Sequence, residues 1–387
     1  MNKLISLIVI LLAAALMAGA GAALGESGTA ESFLVISDTH LTEKTQDHAG
    51  MMEAVVQAAL GKDAVLLLGD NTNNTHTEEH ALVLQWAAEI EQQAGAIVFV
   101  IPGNHDYSVR TGAEEFQTLY AAYGWDRAFS QDEASASYAV MTEKGTCLLL
   151  LDTNRFDDRH AVLPDGGIGS ETLDWLREVL QSLPDGTPVL ACGHHPILPD
   201  GRNARTPGAS ALGRVLREYG AALYLCGHDH GFATLEQDAL RQITVGQPQA
   251  YPGWAGVADR TEAGFHWHTE PIYDLRSPIY ITLRESARDL GRRMAAGTLA
   301  GTPFAEDEGA IEWFAAAFMQ FAGGEMTPES SAALLQDENS QKWREAETPT
   351  VVRDWMLNLL ENCPENVQDI TVPQSLKHSA PSGLSSP

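Results

Sequence analysis

Residues 33–40 read Phe33-Leu34-Val35-Ile36-Ser37-Asp38-Thr39-His40, an apolar run that stops on a carboxylate and an imidazole. A continuous apolar run of this length is expected of a strand buried on both faces, which other layers must cover. The same figure recurs as far as about residue 230. The run 64–68 stops on Gly69-Asp70, the run 96–101 on Gly103-Asn104-His105-Asp106, and the run 146–151 on Asp152. Residues 188–191 lead to Gly193-His194-His195-Pro196, and 221–225 to Gly227-His228-Asp229-His230. Helical patterns fill the gaps at 51–60, 79–93, 114–123, 170–183 (with Ser170 as N-cap) and 209–219. Strands alternating with helices predict an α/β sheet that gathers its polar residues at the strand ends.

Those ends carry the chemistry. Asp38 and His40 are two residues apart, so on an extended chain both side chains point the same way and grip one ion; the same reasoning applies to His228 and His230. Carboxylate, amide oxygen and imidazole together suit Mn, Fe, Zn or Co better than Mg or Ca. Glycine before four of the clusters lets the backbone turn sharply and approach a ligand. Each cluster alone is weak, since a lone Asp-x-His or Gly-Asp is commonplace. Five in order are not, because converging buried polar groups cost several kcal/mol each when unpaired.

The ordered blocks D-x-H, G-D, G-N-H-D, H-x-P and G-H-x-H resemble those of the calcineurin-like metallophosphoesterases over about residues 33–284. The resemblance implies an α/β fold in which two mixed β-sheets pack as a sandwich flanked by helices, with a two-metal centre at the sheet ends. It implies that Asp38, His40 and His230 hold one divalent transition-type ion and Asn104, His194 and His228 the other, with Asp70 bridging. It also implies that His105 stands beside the ions as proton donor to the leaving group, oriented by Asp106, while a metal-bridging hydroxide attacks a small phosphate ester. A carboxylate such as Asp70 can bridge because it has two oxygens. His194 is preferred to His195 as ligand because the family motif places one residue between ligand and proline; His195 is then a supporting or substrate-contacting residue. Purple acid phosphatases, a branch of the family, carry a tyrosine ligand three residues after the bridging aspartate, where this chain has Asn73, so a ferric-tyrosinate site is not expected. The preferred substrate is a small phosphodiester; a phosphomonoester or nucleotide, or a binding protein that kept the fold without the chemistry, are the alternatives.

Other polar residues are less committed. His76 and His80 follow the Asp70 loop, and Arg202 and Arg205 follow the His194 block; all four could face substrate or simply solvent. Asp152 and Asn154 are expected to support the site from behind, and His266 and His268 to be structural. Cys147, Cys192 and Cys226 lie in apolar runs and read as buried thiols, and there is no Cys-x-x-Cys spacing.

The 387 residues carry a formal net charge of −28, which disfavours binding to long nucleic acid. Lys3, an apolar run over 4–16 and small residues at 18–22 predict a signal peptide at 1–25, hence a secreted or cell-envelope protein with no stable membrane insertion after cleavage; a retained anchor is the runner-up. The catalytic domain is expected at 32–284, with strands at 242–245, 264–270 and 279–284 completing a second sheet. A helical segment follows at 285–365 and a disordered tail at 376–387. Trp313, Phe314, Phe318 and Phe321 are expected to pack that segment against the catalytic domain or a second chain. Oligomeric state is not legible.

Overall fold

The computed structural model describes residues 30–108, 112–198, 206–346, 351–363 and 368–373. The expected signal peptide at 1–25, the tail at 376–387, and Arg202 and Arg205 fall outside these.

In chain order, β1 (Glu31–Ile36), α1 (Thr45–Ala58), β2 (Ala64–Leu67), α2 (Thr77–Ala94), β3 (Ile97–Val100) and α3 (Ala113–Leu119) make the first half of the body. β4 (Ser130–Gln131), β5 (Tyr138–Met141) and β6 (Cys147–Leu151) follow, with the short hairpin β7 (Arg155–Phe156) and β8 (Val162–Leu163). Next come α4 (Ser170–Ser182), β9 (Val189–Gly193), α5 (Ala209–Glu218), β10 (Leu223–Cys226), β11 (Ala233–Gln237) and β12 (Leu240–Thr244). β13 (Trp254–Thr261) and β14 (Gly264–Pro271) lead into five helices: α6 (Pro278–Leu299), α7 (Glu308–Ala322), α8 (Pro328–Gln336), α9 (Glu338–Glu345) and α10 (Val351–Glu361). β15 (Asp369–Pro373) ends the described chain.

The strands form two mixed sheets, in the orders β15-β14-β13-β1-β2-β3 and β11-β12-β10-β9-β6-β5-β4. In each, the strands that end on the polar clusters run parallel: β1, β2 and β3 in one, β6, β9 and β10 in the other. Their C-terminal ends therefore lie at one edge, which is what brings the clusters together. β6 shows how a continuous apolar run serves two layers. Leu148 and Leu150 face the core between the sheets, while Cys147, Leu149 and Leu151 face a second core beneath α4 and α5. Cys147, Cys192 and Cys226 are buried free thiols. Burial pushes the Cys147 thiol up to about 12, so it is an inert hydrophobe.

Two expectations are corrected. Residues 279–284 are helix, not strand: the strand-prone run Ile279-Tyr280-Ile281-Thr282 begins α6, where the Ser277 hydroxyl accepts from Tyr280 N–H and Pro278 occupies the first helical position. Ile279 and Ile281 are exposed on that helix, so their apolar character marks no buried strand. The aromatic residues of α7 also pack differently from the reading above. Trp313 and Phe314 are buried with Trp343, Met356 and Leu360 in a core internal to the helical lobe, and Phe318 and Phe321 flank it.

Candidate metal centre

The ligand-bearing residues follow the strands rather than lying on them. β1 ends at Ile36, and Asp38 and His40 then take left-handed backbone conformations, with φ of 56° and 42°. Asp70 (50°), His228 (73°) and His230 (58°) do the same. A non-glycine residue in this region is costly, about 1 kcal/mol or more each, and such strain clusters at functional sites. The turns are held by backbone hydrogen bonds from Asp38 N–H to Gly69 O (3.0 Å), His40 N–H to Asp70 O (2.9 Å) and Leu41 N–H to Asn71 O (2.9 Å). Gln249 Nε2 donates to the carbonyls of Asp38 (2.9 Å) and Thr39 (3.0 Å), a support that no local sequence signal announces.

Extended-strand alternation is therefore not what aims these side chains. Asp38, His40, Asp70 and His230 converge in one cluster, and His194, His195 and His228 in another; within each, one ligand atom per residue lies within 4.8 Å of the others. His228 and His230, expected from spacing to share an ion, are split between the two by the left-handed turn. Asp70 stands between the clusters. Its Oδ2 is 3.7 Å from His40 Nε2 and 3.3 Å from His194 Nε2. Its Oδ1 accepts the His105 backbone N–H at 2.7 Å. Oδ2 thus faces both clusters, while Oδ1 is oriented by the His105 N–H.

The remaining contacts fix the walls. His194 Nδ1 is held by Leu68 O at 2.9 Å, leaving Nε2 for the centre. His195 Nδ1 meets Thr153 Oγ1 at 2.8 Å, and its ring stands 4.6 Å from that of His228. His195 was set aside in favour of His194 on motif spacing, yet it belongs to the same cluster. In the other cluster His230 Nε2 is 3.1 Å from His40 Nε2 and 3.4 Å from Asp38 Oδ1. Glycines let the walls meet: a Cβ on Gly227 would overlap Ser37 Oγ and Asp38 Oδ2, and one on Gly103 would overlap Asp70.

Asp106 does not touch the His105 imidazole. Its buried carboxylate accepts five hydrogen bonds, from the Gly103 backbone, from the backbone and side chain of Asn71, and from the backbone and side chain of Thr72. The orienting role expected for it is corrected: it pins the Asp70 and Asn104 loops together. The His105 imidazole is instead held at Nδ1 by Asn73 O (2.9 Å), edge-on to His40 at 4.8 Å. Asp152 and Asn154 do brace from behind: Asp152 accepts from Tyr107 Oη at 2.8 Å, and Asn154 Nδ2 donates to Pro102 O at 3.1 Å. His80 is buried against Tyr120 Oη at 2.9 Å, while His76 lies outside against Glu43 and lines a cavity of about 440 Å³ with Asn74 and His48.

Electrostatics match a cation site. Burial lowers His40 and His228 to about 4, and holds His195 well below its ordinary value, so all three are neutral with a lone pair to give. Burial alone would also lower His194, but the Asp70 carboxylate outweighs it and raises His194 to about 10. Burial would raise Asp70, yet the His194 charge and hydrogen bond keep it well below the usual carboxylate range. Without metal, the proton on His194 balances Asp70. Orphaned atoms fit metal ions: His195 Nε2 and Asn104 Oδ1 are buried without a hydrogen-bond partner. Buried acceptors with no donor suit a cation.

Residues 32–232, more than half the chain, match the family described as calcineurin-like phosphoesterase. The mouse tartrate-resistant acid phosphatase type 5 is 27% identical over 150 residues, covering 36% of this chain and 45% of its own length. This chain thus spans less than half the length of that curated relative. Among solved structures, a putative 5'-nucleotidase from Staphylococcus aureus aligns with a TM-score of 0.44 at 13% identity, over 68% of this chain and 59% of the other. A purple acid phosphatase from yellow lupin aligns with 0.43 at 14%, over 64% and 53%. With the family match spanning the strands and turns that build both clusters, the chain belongs to the calcineurin-like phosphoesterases.

Proposed function

We propose that the chain hydrolyses a small phosphate ester, with a phosphodiester as the preferred class, using two transition-type metal ions. The observation that carries this is Asp70 Oδ2, set between two clusters of imidazoles and buried carboxylates. Asp38, His40 and His230 would hold one ion, and His194, His228 and Asn104 the other, with His195 beside them and Asp70 shared. Two such ions supply Lewis acidity and a water of lowered pKa for an in-line displacement.

The chain's own residues do the rest. His105 is exposed at the mouth of the centre, and with Nδ1–H given to Asn73 O its Nε2 is the nitrogen left to pass a proton to the leaving oxygen. Asp106 fixes the loop that carries His105 by taking donors from three residues. His230, also exposed, borders the same opening. The name of the curated relatives favours a phosphomonoester as the second reading. Export, with removal of residues 1–25, belongs to the same proposal; among the described residues no helix is long and apolar enough to cross a membrane.

The test is a panel of nitrophenyl and alkyl mono- and diesters on protein reconstituted with Mn, Zn or Fe. No turnover of any ester with two ions bound per chain would leave a binding protein, not an enzyme. A preference for monoesters would reverse the order of the two substrate classes.

A further inference from the structure

A third group of ligand-type side chains lies on the outer face of the first sheet. Along β14, Phe265 and Trp267 enter the core, so His266 and His268 share the opposite face. Register sets Asp259 of β13 directly across from His266, and Asp369 of β15 directly across from His268. One ligand atom each from Asp259, His266 and His268 lies within 4.8 Å of the others, and a cavity of about 530 Å³ opens over them. Asp259 also pairs with Ser32 at the start of β1, six positions before Asp38. At about 3.3 Å per strand residue, this group is roughly 20 Å from the central clusters.

The hydrogen bonding around His268 is that of a ligand. Its Nε2 is 3.0 Å from Glu270 Oε1, an oxygen that also receives Lys62 Nζ at 2.9 Å. A carboxylate on Nε2 fixes the proton there and leaves the lone pair on Nδ1. That Nδ1 is buried, has no hydrogen-bond partner, and faces Asp259 Oδ2 at 3.6 Å. A nitrogen lone pair against a carboxylate oxygen is repulsive until a proton or a metal cation lies between them. His266 repeats the pattern, with its Nε2 3.0 Å from Asp369 Oδ1 and its ring stacked on that of His268 at 5.3 Å.

We propose that Asp259, His266 and His268 form a third metal site, for a divalent transition ion of the zinc class, with Glu270 and Asp369 orienting the two imidazoles. Ligand atoms on a tetrahedral ion at ~2.0–2.1 Å are about 3.4 Å apart, so binding draws these part-exposed side chains inward by about 1 Å. The ion also ties β15 to the sheet, because Asp369 belongs to that strand.

The experiment uses the full chain and Zn²⁺ alone. Metal content is measured after dialysis against micromolar free zinc, for the parent, for His266→Ala/His268→Ala, and for Asp259→Asn. The double variant is expected to hold one ion fewer per chain, and Asp259→Asn to bind that ion at least about 10-fold more weakly. Zinc is expected to slow amide exchange over 369–373 in the parent but not in the variants, while zinc-loaded parent and variants hydrolyse esters at the same rate. If the double variant does not fold, Asp259→Asn decides the matter alone. Equal zinc content and affinity in the parent and every folded variant overturns the proposal, as does a site that fills only at millimolar zinc. Because the third ion is counted by difference, the result stands whether or not the central clusters prove catalytic.

Discussion

Replacing Asp106 by asparagine tests whether this residue is a catalytic partner of His105 or a brace. The amide can present only one acceptor oxygen. Whichever way it turns, its NH₂ group faces a donor that the carboxylate satisfied: Thr72 N–H (2.8 Å) on one side, or Asn71 N–H (3.1 Å) and Gly103 N–H (2.9 Å) on the other. The Thr72 hydroxyl can rotate to accept, so the cheaper orientation orphans one buried backbone N–H and adds a donor–donor contact. At about 1–3 kcal/mol for each unsatisfied buried group, the loss is about 2–4 kcal/mol. At roughly 2–4 °C per kcal/mol for a body of this size, the melting temperature falls by about 5–15 °C. Urea unfolding of the metal-free protein, where no catalytic effect can intrude, measures it. A variant with parental stability and abolished turnover would refute the brace and restore a direct role beside His105.

Asp70→Asn is expected to lower metal content at both clusters together, because Oδ2 faces both; elemental analysis showing one ion fully retained contradicts the shared position. His105→Ala is expected to cost far more on an alkyl ester than on a nitrophenyl ester, within ~10²–10⁴-fold, since nitrophenolate leaves without a proton; equal losses in steady-state kinetics argue against proton donation. Trp343→Ala, at the centre of the helical-lobe core, is expected to destabilise that lobe by about 3–5 kcal/mol. Differential calorimetry with a chemical-shift map is expected to show the centre unaffected, and a uniform loss across both regions tells against a separate core.

The six parallel strands and the order of the clusters are legible because continuous apolar runs and their polar stops are local signals. β13 was not, since Trp254-Ala255-Gly256-Val257 lies in a glycine- and proline-rich stretch and earns its place only by pairing antiparallel with β1. β15 escaped for the same reason, as an isolated edge strand paired only with β14. In the site, residue types could be read but directions could not. The left-handed turns at His228 and His230 separate a pair that strand alternation would keep together, whereas Asp38 and His40 do share a cluster. Gln249 and Thr153, which support Asp38 and His195 across long sequence separations, carry no motif at all.

The helices α6 to α10 leave the sheet at the end of β14 and return to it at the start of β15, and those two strands are neighbours, with Gly264 opposite Pro373 and His268 opposite Asp369. Topologically the lobe is therefore a cassette spliced into a hairpin: Pro271 runs three residues past His268, the partner of Asp369, so its two attachment points lie about 11 Å apart on neighbouring strands. Simply cutting the chain after β14 would strip away β15 and leave a raw ladder of N–H and C=O groups, with Phe265 and Trp267 behind it, open to pairing with other molecules. Excision with closure is different. Joining Pro271 to Asp369 through a short turn keeps the edge capped while removing the lobe, and it separates the lobe's contribution to activity from damage to the sheet that carries the centre.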